Sequence, residues 1–160
     1  MAEPWFTKSI LATVAIVPSF LAIPLFRKNF GVDPLVFLVW YFGGTALAIA
    51  LFLGLARGPS AVLPQIPALL GILAIGMVFG AFANGSLFQA VSLAPNPGLP
   101  PVIYATSSVL VFVLSALLAS TLPAFFNPVS TEPSRVAGLL LVLAGLYLLA
   151  GGRLGRFTLS

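Results

Sequence analysis

The chain has 160 residues, 60% of them hydrophobic and 6% charged, with a formal net charge of +4 and a mean hydropathy of +1.16. A small soluble fold leaves too much of its surface in water to hide that much apolar side chain, so the composition excludes a soluble domain and makes lipid the solvent. With no Cys and no His, the chain also lacks disulfides, thiol catalysis, thiolate metal sites and imidazole ligands or bases.

The pattern predicts an all-α membrane protein of about five spanning helices, each of roughly 20 residues. Short loops use the remainder, so residues 1–160 read as a single transmembrane domain. The first span is expected near 9–26, stopped by Arg27 and Lys28. No small-residue cleavage pattern precedes Arg27, so this span is expected to stay uncleaved. Pro18 and Pro24 lie inside it and predict a kink, because each removes a backbone donor and crowds the turn before it.

The second span, 34–55, opens with Asp33 as a cap and Pro34 at the first helical position. Trp40 and Tyr41 sit deeper in it than an interfacial aromatic belt would lie. The third span, 66–93, is rich in small residues, and Gly76 and Gly80 form a GxxxG with Asn84 one further step along the same face. That spacing aims Asn84 at a neighbouring helix or a cavity. The turn from Ala94 to Gly98 ends the span.

The fourth span is expected at 100–122, and a regular helix would place Tyr104, Ser108, Val111 and Ser115 on one face. A polar stretch with Phe125 and Phe126 follows, which fits either the headgroup region or a plain loop. The fifth span, 135–152, carries Gly138, Gly145 and Gly152 at seven-residue intervals. Such a stripe stays on one face of a left-handed helix pair and lets backbones approach closely. It reads as a dimer seam, with packing inside one subunit as the other option.

Five spans put Lys8, Arg57 and Arg135 on one side and Arg27, Lys28, Arg153 and Arg156 on the other. Orientation follows an excess of Lys and Arg in cytoplasmic loops. Here the excess is a single charge, which the amino terminus cancels. Insertion in both orientations is therefore open, and with it an antiparallel dimer about an axis in the membrane plane. Scattered basic residues suit lipid headgroups, and no nucleic-acid partner is expected.

No Asp, Glu, Lys or Arg lies in the middle of a span, which argues against an intramembrane carboxylate exchanging protons with a cationic substrate. The candidate substrate-binding residues are uncharged: Asn84 and Gln89 on the third span, and Tyr104, Ser108 and Ser115 on the fourth. Interhelical hydrogen bonding is the other use for each of them. No catalytic residue, metal site or cofactor is expected, because no serine has an evident activating base beside it.

Two stretches, Ser86 to Leu118 with its turn Pro95-Asn96-Pro97-Gly98, and Val136 to Gly152 with Gly138 and Gly145, resemble the EamA-like family of the drug/metabolite transporter superfamily. Val32-Asp33-Pro34 before the second helix agrees with that layout. The resemblance implies one five-helix half of a transporter, needing a homodimer or a related chain, in a bacterial or archaeal inner membrane or its equivalent. Two places depart from the family's pattern. Ala119-Ser120 stands where a Gly-Glu pair is usual, and Val17-Pro18-Ser19 replaces a Trp-Gly of the first helix. These departures point to a changed substrate or to a unit recruited as an accessory subunit of a larger membrane complex. The sequence thus supports two functions: a small-solute transporter half working by alternating access, or a non-transporting structural subunit.

Overall fold

A computed structural model describes residues 4–126 and 132–149. Among these residues there are helices and turns and no strand. Five long helices follow one another: α1 (Pro4–Phe30), α2 (Pro34–Arg57), α3 (Ile66–Leu93), α4 (Leu99–Thr121) and α5 (Pro133–Leu149). The first four are long and apolar enough to cross a membrane, and α5 contributes a shorter apolar stretch, Val136–Leu149. The chain is an all-α, multi-pass membrane protein. Its described residues fall into two compact units, residues 1–100 and 101–160.

The first unit is a three-helix cluster. Helix α1 extends a turn beyond each expected end and continues through Pro18 and Pro24. A proline cannot donate to the carbonyl four residues back, so those of Val14 and Phe20 lose that bond. Gly31 turns the chain at a φ of 65°, a left-handed conformation that glycine adopts without a Cβ penalty. Asp33 then caps α2 as expected, its carboxylate accepting from the Leu35 amide at 2.7 Å. Pro34 sits at the first helical position, where no backbone donor is needed.

Ile23 of α1 and Leu87, Phe88 and Val91 of α3 are buried, flanked by half-buried Phe20, Phe37, Leu38 and Tyr41. Where α2 crosses α3, buried Gly85 leaves room for Leu35; an added Cβ would lie 3.4 Å from its Cδ2. In water, burying each large apolar side chain would be worth about 1.5–3 kcal/mol. Against lipid that gain vanishes, because the tails are as apolar as leucine. Close packing and interhelical hydrogen bonds hold the cluster instead.

Among the described residues, two side chains make such bonds between sequence-distant helices. The Ser19 hydroxyl donates to the Tyr41 hydroxyl at 3.1 Å, joining α1 to α2. The Arg27 guanidinium donates from Nη1 to the Ser92 carbonyl at 3.1 Å and to Ser92 Oγ at 2.9 Å, joining α1 to the end of α3. A cation there also meets the negative end of the α3 dipole.

In the second unit no described residue is buried. Helix α4 is not the regular span expected from the sequence. It runs Leu99–Tyr104, breaks at Ala105 and Thr106, and resumes as Ser107–Thr121. At the break the amides of Thr106, Ser108 and Val109 reach back three residues rather than four. The Thr106 hydroxyl donates to the carbonyl of Ile103, a local bond that competes with regular helix geometry. After α4, Phe125 is exposed and Phe126 half-buried in a turn on the Leu122 carbonyl. Residues 127–131 lie outside the described part.

Candidate functional site

One cavity of the first unit lies between α2 and α3. It measures about 410 Å³ and is lined by Leu38, Val39 and Phe42 on one side and Gly76, Gly80, Ala81 and Asn84 on the other. The GxxxG pair and Asn84 thus share one groove, facing a neighbouring helix as their spacing predicts. The groove exists because the glycines carry no side chain: a Cβ on Gly76 would meet nothing within 4 Å.

The backbone departs from the expected geometry at this point. Residues Gly76–Gly80 form a single π-helical turn, with the Ala81 amide donating to the Gly76 carbonyl five residues back. Such turns hold one residue more than an α-turn and widen the helix locally. Asn84 is half-buried and donates from Nδ2 to the carbonyl of Gly80, the last residue of this turn, at 2.8 Å. One amide hydrogen is thereby committed. The side-chain oxygen and the second hydrogen remain as the polar handle of a groove whose other lining is apolar.

A second cavity of about 430 Å³ lies near the α1–α2 turn, lined by Phe26, Val32, Val36, Phe37, Trp40 and Tyr41. Its floor is an aromatic cluster: Phe26 and Phe37 meet edge-on at 5.5 Å, and Phe37 and Tyr41 stack at 6.1 Å. Tyr41 belongs to this cluster, whereas Trp40 lines the cavity but is itself 77% exposed.

Gln89 is exposed and is not among the groove residues; its backbone carbonyl accepts from the Ser92 hydroxyl at 2.7 Å. In the second unit Tyr104 and Ser108 are exposed, and half-buried Ser115 donates to the Phe112 carbonyl at 2.9 Å within its own helix. Ser108 and Ser115 share the regular part of α4. The tightened turns at Ala105 and Thr106 change the register between them and Tyr104, since each such step turns about 120° rather than about 100°. Gly138 and Gly145 lie on α5, and an added Cβ at either would meet nothing within 4 Å. Gly152 lies outside the described residues.

Sequence reasoning missed the Ser19–Tyr41 and Arg27–Ser92 bonds. For Tyr41 a signal was present, because a phenol deep in an apolar helix requires a hydrogen-bond partner. For Arg27 no pattern in the sequence pointed to Ser92, 65 residues away. No family model, curated protein or solved structure matches the chain.

Proposed function

We propose that the chain is one half of a small-solute transporter or permease, an EamA-like unit that works as an antiparallel dimer by alternating access. The single observation that carries this reading is the open glycine face of α5. Gly138 and Gly145 would accept a Cβ without contact, and no described residue of that unit is buried. Glycines drive association in lipid by letting another helix approach, and this face has room for one. The near-even division of basic residues lets that helix come from a second copy inserted the other way. The groove with Asn84 supplies an apolar binding surface with one amide, suited to a neutral solute. No catalytic step or cofactor belongs to this reading. A bacterial or archaeal inner membrane, or its equivalent, is the proposed residence.

The alternative is an accessory subunit of a larger membrane complex. Phe125, 82% exposed beside a membrane-spanning helix, favours it as a docking residue.

Purification in lipid nanodiscs separates the two. A homodimer with tagged termini on both membrane faces supports the transporter half. Co-purification of unrelated subunits at fixed stoichiometry supports the accessory role, and a competent lone copy defeats both. Adding lysines after Ser160 should force one orientation and abolish activity, with rescue by an oppositely biased copy.

A further inference from the structure

The π turn of α3 separates two halves with different attachments. Below it, Ala81–Leu93 carries buried Gly85, Leu87, Phe88 and Val91 and is fixed in the core. Above it, Ile66–Ile75 has no buried residue. From Ile66 to Phe79 every residue is apolar or glycine, so turning this segment about its axis brings no polar side chain into lipid. The extra residue of a π turn is what such a rotation needs: passing to α geometry turns one half relative to the other by about 100°, the angle of one residue.

The groove lies at this joint. In the π form, side-chain-free Gly76 faces Leu38, Val39 and Phe42 and leaves the space open. Overwinding to the α form carries Gly76 aside and brings the neighbouring position, Met77, into its place. Met77 is now 69% exposed, outside the groove lining, and its long unbranched side chain can fill an irregular gap. Asn84 stands on the fixed half and bonds the carbonyl that ends the π turn.

We propose that the Gly76–Gly80 turn is a register hinge that opens and closes the α2–α3 groove, with Met77 as the plug and Asn84 as the positioning residue that holds the open form. This deepens the transporter reading by giving its candidate site a gate, yet the rotation itself is measurable without any substrate.

Because the chain contains no cysteine, pairs can be introduced without removing any. Val39→Cys is combined with Gly76→Cys in one variant and with Met77→Cys in another. Each is oxidised in native membranes, alone and with Asn84→Leu. Both pairs should cross-link, and Asn84→Leu should raise the Met77-to-Gly76 yield ratio at least threefold. Cross-linking of the Gly76 pair alone in both backgrounds, or an unchanged ratio, overturns the proposal. If Asn84→Leu fails to accumulate, Asn84→Ala is substituted under the same criterion. Rotation in a protein that moves no solute would leave the hinge standing and remove the transporter reading. Transport with a fixed ratio would do the reverse.

Discussion

The two units use the same kinds of residue to opposite effect. Helices α1 to α3 close on a small core of Ile23, Leu87, Phe88 and Val91, tied by Ser19–Tyr41 and Arg27–Ser92. Helices α4 and α5 are equally apolar, yet none of their described residues is buried. Apolar composition therefore places a helix in lipid without telling it where to stop. Partner choice comes from a glycine where two backbones cross, as at Gly85, and from a polar side chain with a distant mate. The first unit has found these partners within itself. In the second, no described residue is buried, and an added Cβ at Gly138 or Gly145 would meet nothing within 4 Å, as at Gly76 in the first.

That contrast can be broken most sharply in the core. Phe88→Ala should cost about 2 kcal/mol through the cavity it leaves, roughly 100 Å³ at about 24 cal/mol per Å³, whereas Leu141→Ala on the exposed face of α5 should stay within about 0.5 kcal/mol. Unfolding by denaturing detergent measures both, and equal losses would abolish the distinction. Next in size, Gly145→Leu should weaken self-association by about 1–2 kcal/mol, the scale of interhelical terms in lipid, while leaving unfolding of the first unit unchanged. Analytical ultracentrifugation in detergent reads the shift, and an unaltered oligomer would remove α5 from the seam. Arg27→Gln should destabilise the first unit by about 0.3–1 kcal/mol, since it loses the charge at the α3 terminus. The smallest effect is expected from Tyr41→Phe, about 0.6 kcal/mol for one interhelical hydrogen bond. Combining it with Ser19→Ala should add almost nothing, because both changes delete the same contact.

Much of the fold is legible in the chain because lipid imposes simple rules. Apolar runs of spanning length, interrupted by Arg27-Lys28, Gly58-Pro59 and Pro95 to Gly98, mark the helices, and Asp33-Pro34 fixes the start of α2 to the residue. The site was only partly legible. The spacing of Gly76, Gly80 and Asn84 placed them together correctly, but a rule of 3.6 residues per turn contains no π turn and no break at Ala105 and Thr106. Both irregularities arise from local backbone bonding that hydropathy does not register. The pairing of Arg27 with Ser92 was invisible for another reason: it depends on which helices become neighbours.

The Arg27 clamp also has a consequence for the order of events at the ribosome. A positive charge at residue 27 is made 65 residues before the serine that receives it. During that interval the guanidinium has no Ser92 to donate to. Once α3 arrives, the same guanidinium becomes a fastener between α1 and the end of α3. The clasp is thus a late event for a residue made early: α1 gains this tie only when the last turn of α3 is in place.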